Sequence, residues 1–478
     1  MNILLATSEV HPYSKTGGLA DMVGALAKAF ARTGHQTAVV SPLYAGILER
    51  HPELKPFDYF IDLPLGHERV EATVWVGRPR PGLTLYFIHQ PRFFNRPALY
   101  GEEGRDYADN AERFIFFSKA VVHLARYLTW RPDAVHVHDW QTGLVPILLL
   151  HQKLTDGWTH APRTCFTVHN LAYQGHFPAE AYPLTNLPQE YFNPRGLEFY
   201  GGLNCLKAGL IFADVLTTVS PTYAREITTP ELGYNLDPIL RNRQDVLIGI
   251  LNGVDYEEWN TEQNPHLVQP YSVNDLKGKA INKAALQHEF GLPENPSPPL
   301  FANITRLAHQ KGIHLLLGAC EECLAGDVQL IALGNGDPHY EEAMRNLNRR
   351  YPKKAAVRIG FNPGLSHRIE AGADFFLMPS LFEPCGLNQM YSLRYGTIPI
   401  VRATGGLDDT VIDATEDAER ANGIKFNEPS IRALVHAMRR ARVLYDHPAA
   451  LTHYRRNAML SDFSWDRTSQ LYVKLFQR

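Results

Sequence analysis

The sequence predicts an α/β protein made of two doubly wound domains. Short apolar runs of the kind that fill parallel strands alternate with amphipathic helical runs along the chain. Several of these strands end in glycine turns that lead into a helix, as in open α/β sheets that bind ligands at the carboxyl ends of their strands. A length of 478 residues is too large for one core and fits two domains of roughly 200 or more residues each.

Composition excludes several classes of protein. Hydrophobic residues make up 45% of the chain and charged residues 20%, which is typical of soluble globular proteins. A net charge of −3 gives no field for a polyanion, so we expect no nucleic-acid partner. The chain has neither a signal-like start nor an apolar run of about 18 residues, and we therefore expect a cytoplasmic protein without membrane contact.

The five cysteines fit reduced thiols. Cys320 and Cys323 form a CxxC pair, but they follow a helical pattern and lack the second pair that a zinc site requires, which favours helix packing. Cys385 differs by position because it adjoins the candidate site described below. A helix start could lower the pKa of its thiol, yet a small residue beside the ligand is the simpler interpretation.

The chain opens with a strand, Ile3–Ala6, followed by a glycine pair, Gly17 and Gly18, at the start of a helix that ends at Gly34. Lys15 precedes the glycines, so this loop combines free helix amides with a cation and suits a phosphate. The loop lacks both the Walker pattern and the dinucleotide fingerprint. Neither a P-loop ATPase nor a nicotinamide enzyme is predicted.

The next elements are a strand at Thr37–Val40, a hairpin around Val70–Val76 and a helix at Arg113–Tyr127. The loop before that helix is polar and aromatic, and Tyr100 and Asp109 are candidates for sugar contacts within it. A pyranose has apolar faces and hydroxyl edges, which such side chains suit. An ordinary surface loop fits the same residues equally well.

Two further strands of the first half end in polar residues. Ala134–His138 is followed by Asp139, and Thr164–Val168 is followed by His169 and Asn170. Alternate histidines on a strand share a face and suggest a metal. No further ligand is placed by the sequence, so we favour core histidines and predict no metal site.

The boundary between the two halves is predicted just before Ile250, and we expect order to fall through residues 260–279 before a proline-rich stretch. Arg306 and Lys311 then follow a strand, where they are well placed to bind a diphosphate. The predicted strands of this half are Leu300–Ile304, Gln329–Leu333, Val357–Ile359, Asp374–Met378 and Ile398–Val401.

The loop after Met378 is the centre of the predicted site. It holds Glu383, and Gly386 and Leu387 are expected to begin a helix whose free amides suit an anion. A second glycine turn, residues 404–406, follows the next strand. Two such turns side by side predict a phosphate cradle.

Five motifs in order resemble those of bacterial glycogen synthases and plant starch synthases. They are KTGGLAD at 15–21, the run at 196–227, TRLAHQKGIHLLL at 305–317, FEPCGL at 382–387 and TGGLDDTV at 404–411. The resemblance spans nearly the whole chain and implies a GT-B fold, in which two Rossmann-like domains face each other across a cleft. It also implies an acceptor domain, residues 1–248, rejoined by a terminal helix in 460–478, and a nucleotide-sugar domain, residues 249–459.

The resemblance implies transfer of glucose from ADP-glucose to the non-reducing end of an α-1,4-glucan, with retention of configuration, release of ADP and no cofactor. It implies that Lys15, Arg306 and Lys311 bind the diphosphate, that Glu383 and His169 fix the sugar, and that Asp139 and Tyr100 lie near the acceptor. The implied substrate and nucleotide contacts are Gly17, Gly18, Asp21, Asn170, Asn252, Phe361, Cys385, Gly386, Leu387, Thr404, Gly405 and Gly406.

The chain departs from the family pattern at two places. Asn235 follows Tyr234 where the family commonly has glycine, and asparagine tolerates the left-handed conformation that such a turn needs. Phe361 stands where many members have tyrosine, which keeps ring stacking and loses a hydroxyl contact.

The sequence shows no carboxylate pair for a covalent double displacement, so a front-face route is predicted, in which the leaving phosphate accepts the acceptor's proton. Two other classes stay open. A glucan phosphorylase would share the fold but needs pyridoxal phosphate on a lysine, and a catalytically inactive glucan-binding protein would bind without releasing nucleotide. The sequence leaves a homo-oligomer open.

Overall fold

The computed structural model describes residues 1–102 and 104–477. These form two compact units: unit 1 is Met1–Gly253 with Trp465–Arg478, and unit 2 is Val254–Ser464. The chain therefore crosses between the units after residues 253 and 464, where the sequence placed these crossings after 248 and 459. The amide of Val254 donates to the carbonyl of Phe463 at 2.7 Å, so the two crossing segments run side by side.

Unit 1 contains fourteen described strands, most of them short apolar runs. They are β1 (Asn2–Ala6), β2 (Gln36–Pro42), β3 (Lys55–Leu65), β4 (Glu68–Arg80), β5 (Leu83–His89), β6 (Gly101–Glu102), β7 (Arg105–Asp106), β8 (Ala134–His138), β9 (Arg163–Val168), β10 (His176–Phe177), β11 (Glu198–Phe199), β12 (Gly202–Asn204), β13 (Val215–Thr218) and β14 (Leu247–Gly249).

Nine of these strands form one sheet in the order β14-β13-β9-β8-β1-β2-β5-β4-β3. Neighbours from β14 to β5 are parallel, whereas β4 pairs antiparallel with both β5 and β3. Because β1, β8 and β9 are parallel neighbours, the loops that follow them leave from one edge of the sheet. Glu9, Asp139 and His169 lie in those loops.

The helices before the end of unit 1 are α1 (Gly18–Arg32), α2 (Ile47–Arg50), α3 (Pro91–Phe94), α4 (Asn110–Tyr127), α5 (Val145–Thr155), α6 (Cys205–Phe212), α7 (Pro221–Glu226) and α8 (Asp237–Asn242). Helix α1 ends as predicted, because Gly34 follows it with a φ of 89° and so cannot continue the helix. The apolar face of α1 is buried against the sheet.

The hairpin predicted around Val70–Val76 is longer than expected. Strands β3 and β4 turn at Gly66, which has a φ of 62°, and Val70–Val76 lies within β4. Alternate side chains of β4 are buried, as expected for a strand with one face toward the core. The prediction misplaced the turn because the alternation continues through both β3 and β4 and so does not mark where the chain reverses.

Unit 2 contains a parallel six-stranded sheet in the order β17-β16-β15-β18-β19-β20. The strands are β15 (Leu300–Ile304), β16 (Gln329–Gly334), β17 (Ala355–Ile359), β18 (Phe375–Met378), β19 (Ile398–Arg402) and β20 (Ile424–Phe426). The strand order reverses direction between β15 and β18, which is the position where doubly wound sheets bind ligands. The loops after β15 and β18 hold Lys311 and Glu383.

The helices of unit 2 are α9 (Lys277–Glu289), α10 (Ile313–Cys323), α11 (Pro338–Arg350), α12 (Pro363–Gly372), α13 (Asn388–Arg394), α14 (Gly405–Thr410), α15 (Ile431–Tyr445) and α16 (Pro448–Leu460). They cover both faces of the sheet and enclose two apolar cores. Adjacent residues of one strand, Phe375 and Phe376, belong to different cores, because successive side chains of a strand point to opposite faces.

The expectation that order falls through residues 260–279 is wrong. The Asn264 side-chain amide donates to the Tyr395 hydroxyl at 2.9 Å, and the Tyr271 hydroxyl donates to the Tyr395 carbonyl at 2.8 Å. Leu267 and Tyr271 are buried in a small cluster against Tyr395. The polar side chains of this segment form hydrogen bonds with backbone groups that no helix or strand pairs. Composition alone did not reveal these hydrogen bonds.

The last helix, α17 (Trp465–Phe476), belongs to unit 1, where the ring of Phe476 lies 5.9 Å from that of Phe30. Trp465, Tyr472 and Phe476 are buried, whereas Leu471 of the same helix is exposed. In the ranges that the structure describes, no helix is both long and apolar enough to cross a bilayer.

Candidate active site

The loop after β18 holds Glu383 in a buried position, with only 6% of the residue exposed. Lys311 Nζ lies 2.6 Å from Glu383 Oε2, and the Ser380 hydroxyl donates to the same oxygen at 2.9 Å. A buried carboxylate is stable only when it is paired and hydrogen-bonded, and these two donors satisfy that requirement. The structure thus brings together two of the predicted site residues, Lys311 and Glu383.

The glycine turn of residues 404–406 packs directly on the Glu383 loop. The amide of Gly406 donates to the carbonyls of Glu383 and Pro384, at 3.1 Å each. Gly405 has a φ of 47°, and a Cβ there would collide with the Glu383 carbonyl. The two turns therefore lie side by side, and phosphate binding by them stays a prediction.

The helix after Glu383 begins two residues later than predicted. Gly386 has a φ of 70°, which an α-helix cannot accommodate, and α13 starts at Asn388 with Leu387 at its N-cap. The Gln389 side-chain amide donates to the carbonyls of Cys385 and Gly386, at 3.0 Å each. These two hydrogen bonds fix the backbone of the loop that precedes α13.

Lys311 ends a 3-10 turn, His309–Lys311, that is fixed to the Glu383 loop from the other side. The amide of Leu381 donates to the Gln310 carbonyl at 2.8 Å, and Gly312 adopts a φ of 67° with its α-carbon against the Pro379 carbonyl. A larger residue at Gly312 would push the lysine away from the glutamate. Arg306, earlier in the same loop, is exposed and open to a ligand.

Phe361 follows β17 at the same edge of the sheet and is 71% exposed. Gly360 before it has a φ of 137° and open space on the side where a Cβ would stand. An exposed ring beside bare backbone provides a face for a planar group to stack on. Stacking of a nucleotide base at Phe361 stays a prediction.

In unit 1, the carboxylate of Glu9 shapes the glycine loop that holds Lys15. Its Oε2 accepts from the amide of Thr16 and, at 3.3 Å, from that of Gly17, while its Oε1 accepts from the Thr16 hydroxyl at 2.8 Å. Lys15 Nζ donates to Asp21 Oδ1 at 2.7 Å. Lys15 and Asp21, both predicted site residues, thus form an ion pair.

Tyr100, predicted to lie near the acceptor, contacts the same carboxylate. Its hydroxyl donates to Glu9 Oε1 at 2.9 Å and lies 2.7 Å from the Ser8 hydroxyl. Burial raises the pKa of Glu9 despite these donors. The observed role of Tyr100 is to hold Glu9, and its contact with a sugar stays a prediction. Asp109 forms an ion pair with Arg96.

Asp139 and His169 meet at the carboxyl ends of β8 and β9. Asp139 Oδ1 accepts from the amide of His169 at 2.7 Å. Asp139 itself has a φ of 56°, an uncommon conformation for a residue with a Cβ and one that clusters at functional sites. The Asn170 side chain accepts from the amide of Ala172 at 3.1 Å. Asp139 therefore fixes the turn that presents His169.

Replacing Asp139 by asparagine is expected to remove one component of the pH dependence of stability, the one in which stability falls as pH rises. Burial raises the pKa of the Asp139 carboxyl to about 7, although the His169 and Asn170 amides lower it. Unfolded aspartate has a pKa of about 3.9. The folded state therefore binds more protons between these values, and its free energy of unfolding should fall as pH rises from about 4 to about 7, by up to about 4 kcal/mol.

Denaturant unfolding of the wild-type and Asp139→Asn proteins from pH 4 to pH 8 measures this difference. Nearby buried histidines have lowered pKa values and give the opposite slope, but they are present in both proteins and cancel in the comparison. Stability profiles that run parallel across this range would show that Asp139 is already ionised at pH 4.

The strand histidines before Asp139 contact other side chains rather than converging on an ion. His136 Nε2 lies 2.6 Å from the Thr167 hydroxyl, and His138 Nδ1 lies 3.2 Å from His169 Nε2. Among residues 1–102 and 104–477, no three His, Cys, Asp or Glu side chains are grouped to hold a metal ion. Asn252 is buried, with its Oδ1 unpartnered in the described structure.

The unusual turn at Tyr234 and Asn235 has the conformation predicted for asparagine. Both residues are left-handed, with φ values of 49° and 65°, and the Gln174 side chain donates to the Tyr234 carbonyl at 3.0 Å. Lys207 of α6 donates to the carbonyls of Pro194 and Glu198. Its ammonium caps a loop.

Sequence reasoning missed three residues that support the site. Ser380 donates to Glu383, Glu9 holds the Lys15 loop, and His138 contacts His169. Each of the three lies within three residues of a strand's carboxyl end, which is the signal that could have identified them.

Comparison with known proteins identifies two family matches. Residues 2–242 match the family described as starch synthase catalytic domain, and residues 286–458 match glycosyl transferases group 1. The chain is 50% identical over 478 residues to a glycogen synthase of Anaeromyxobacter sp. (strain Fw109-5), covering 100% of this chain and 99% of that protein. It is 48% identical to a glycogen synthase of Myxococcus xanthus (strain DK1622), with the same coverage.

Two solved structures are similar. The catalytic domain of starch synthase IV from Arabidopsis thaliana, bound to ADP and acarbose, matches with a TM-score of 0.91 and 33% identity, over 100% of this chain and 98% of that one. Sucrose-phosphate synthase from Thermosynechococcus elongatus matches with a TM-score of 0.61 and 19% identity, over 100% and 99% of the two chains, and indicates the fold alone.

Proposed function

The chain belongs to the glycogen synthase and starch synthase family, a family of GT-B glycosyltransferases, and on this premise we propose that it transfers glucose from ADP-glucose to the non-reducing end of an α-1,4-glucan and releases ADP. The relative from Arabidopsis was solved with ADP and acarbose bound, which supports both substrate classes. The chain is therefore a hexosyltransferase.

The observation that carries this proposal is the Lys311–Glu383 pair beside two glycine turns in unit 2. Breaking a sugar–phosphate bond leaves negative charge on the phosphate and builds positive charge on the sugar. A cation and a carboxylate 2.6 Å apart, held by fixed backbone, can stabilise one charge each without reorganising. Arg306 adds a second cation at the same sheet edge.

We assign the nucleotide sugar to unit 2 and the glucan to unit 1. In unit 2, Phe361 would stack on the base, while the backbone of Gly386, Leu387, Gly405 and Gly406 would face the phosphates. Thr404 and Cys385 flank these turns and are proposed donor contacts.

In unit 1, Lys15, Gly17 and Gly18 form a second phosphate-binding loop, with Asp21 orienting the lysine at 2.7 Å. We propose that His169, Asn170 and Asn252 contact the transferred glucose, and that Asp139 and Tyr100 act near the acceptor.

The proposed reaction proceeds on one face of the sugar. The bond between the anomeric carbon and the phosphate oxygen breaks, and the acceptor's 4-hydroxyl oxygen bonds to the same face of that carbon. The hydroxyl proton passes to the departing phosphate oxygen. Because the new bond forms on the face that the phosphate leaves, configuration is retained. The Glu383 carboxylate stabilises the positive charge on the sugar and forms no covalent bond to it. A glucosyl adduct trapped on the protein would contradict this route.

We also propose that the diphosphate is neutralised by side chains rather than by a metal. Lys15, Arg306 and Lys311 supply three positive charges. The acidic pair in the second glycine turn is not arranged as an ion site, because Asp408 is paired with Lys425 at 2.9 Å. Transfer should accordingly persist in the presence of a chelator.

The proposed function is tested by nucleotide release from ADP-glucose and UDP-glucose, each with and without glycogen. We expect glycogen-dependent release of ADP, and extension of a labelled malto-oligosaccharide by one glucose at its non-reducing end. Glycogen binding without release of either nucleotide would indicate a binding protein. Release of glucose 1-phosphate on adding phosphate, with absorbance of a pyridoxal group, would indicate a phosphorylase.

A further inference from the structure

Three histidines of unit 1 form a continuous row, which we call the histidine row: His136, His138 and His169. The ring centroids of His136 and His138 lie 4.2 Å apart, and those of His138 and His169 lie 5.3 Å apart. Helix α17 closes the far end, where the ring of Tyr472 lies 5.0 Å from that of His136. The proposed function uses only the last member, His169.

Each ring of the histidine row carries a single proton near neutral pH. Burial lowers the pKa of His136 and of His169 to about 3 and the pKa of His138 well below its usual value. A neutral imidazole has one nitrogen that donates and one that accepts. The hydrogen-bond partners of the row therefore decide which nitrogen of each ring holds the proton.

The partners select one tautomer for each buried ring. His136 Nε2 lies 2.6 Å from the Thr167 hydroxyl, while His136 Nδ1 is buried without a partner in the described structure. His138 Nδ1 lies 3.2 Å from His169 Nε2, while His138 Nε2 is buried without one. An orphaned buried N–H is rarer in proteins than an under-used acceptor, so the proton belongs on His136 Nε2 and on His138 Nδ1.

We propose that His138 is a positioning residue that donates from Nδ1 to His169 Nε2 and thereby holds His169 in the tautomer that carries its proton on Nδ1. This proposal rests on the function proposed above, in which His169 faces the transferred glucose. The tautomer makes His169 Nδ1–H a fixed donor for a sugar hydroxyl. Without His138, the imidazole could rotate or exchange tautomers, and the donor would be lost for part of the time.

The tautomer is tested directly by nitrogen-15 NMR of the wild-type protein labelled at histidine. The His169 signals are identified by their loss in His169→Ala. We expect His169 to carry its proton on Nδ1 and to have an unprotonated Nε2. The signal of that Nε2 should depend on the hydrogen bond from His138. A protonated Nε2 on His169 would overturn the proposal, whatever the activity of the protein.

The positioning role is tested by a matched pair of amide variants. In His138→Asn the side-chain amide stands where Nδ1 stood and can donate to His169 Nε2, whereas in His138→Gln it stands near the former Nε2. We expect kcat to stay within about threefold for His138→Asn and to fall roughly 10- to 100-fold for His138→Gln, the usual effect of losing a group that orients an active residue. KM for ADP-glucose should change little in both.

Unfolding midpoints of both variants separate positioning from folding. Equal losses of kcat in His138→Asn and His138→Gln, or a larger loss in His138→Asn, would reduce His138 to a packing residue and overturn the proposal. If the wild-type protein releases no ADP, the proposed function fails, and the NMR assignment of the wild type still decides whether His138 sets the tautomer of His169.

Discussion

Replacing Glu383 by glutamine is expected to lower kcat by about 10²- to 10³-fold, the usual effect of removing one electrostatic contact to a transition state. Glutamine keeps the shape of the side chain and can still accept from Lys311 and Ser380. It removes the negative charge that would face the positively charged sugar. KM for ADP-glucose should change little, because this charge develops only as the bond to phosphate breaks.

The geometry makes this charge available to a substrate. Both protein donors, Lys311 Nζ and the Ser380 hydroxyl, bind Glu383 Oε2. In the part of the chain that the structure describes, Oε1 therefore has no hydrogen-bond donor from the protein. The site is largely dry, since 6% of the residue is exposed, and charges act more strongly there than in water.

Glu370 offers a matched control in the same unit. It is also buried, and its Oε2 likewise accepts from a serine hydroxyl, that of Ser392, at 2.8 Å. Burial raises the pKa of Glu370 to about 8, so it is mostly uncharged near pH 7 and glutamine there changes no charge. We expect Glu370→Gln to keep kcat within about twofold. Similar losses in both variants would show that Glu383 acts through packing alone.

The central strands were the part of the fold that sequence could predict best. The bounds predicted for Leu300–Ile304 and Ala134–His138 are those of β15 and β8. Both strands have parallel neighbours on each side and are buried almost throughout, so they read as short, mostly apolar runs, with polar residues only at His136, His138 and Asn303. The turn at Gly66 was misplaced because it joins β3 and β4 at the edge of the unit 1 sheet. Along these strands, buried and exposed residues alternate.

Site residues on loops were identified one by one, but their pairing was not. Lys311 and Glu383 are 72 positions apart, and Tyr100 and Glu9 are 91 positions apart. Motifs indicated which residues follow each strand. The loops that hold Lys311 and Glu383 are neighbours because β15 and β18 are adjacent in the strand order of the sheet. That order depends on how helices cover both faces of the sheet, which no local pattern reports. The contact between His138 and His169 was missed for the same reason, whereas the contact between Ser380 and Glu383 lies within one loop and spans three positions.

Replacing Lys311 by methionine is expected to cost both stability and nucleotide binding. Side-chain exposures of 17% for Lys311 and 8% for Glu383 make this a largely buried ion pair. Removing one partner of such a pair leaves an uncompensated charge, which costs about 3–5 kcal/mol of folding free energy. ADP affinity should fall roughly 10- to 150-fold, because a hydrogen bond to a charged group contributes about 1.5–3 kcal/mol.

A double-mutant cycle separates the two effects. In Lys311→Met combined with Glu383→Gln, no charge is left buried, so most of the lost stability should return. Denaturant unfolding measures the free energy of unfolding for the four proteins, and calorimetric titration with ADP measures their affinities. ADP binding should stay weak in the double variant, because the cation that faces the phosphate is still missing.

The outcome distinguishes a structural ion pair from a phosphate-binding lysine. If stability returns in the double variant while ADP affinity does not, Lys311 serves both Glu383 and the nucleotide, as proposed. If ADP binds all four proteins equally, Lys311 only neutralises Glu383, and Arg306 and the glycine turns would have to hold the diphosphate without it. If the stability losses simply add, the 2.6 Å pair contributes no coupling energy, and the surrounding loops rather than the ion pair hold the two residues in place.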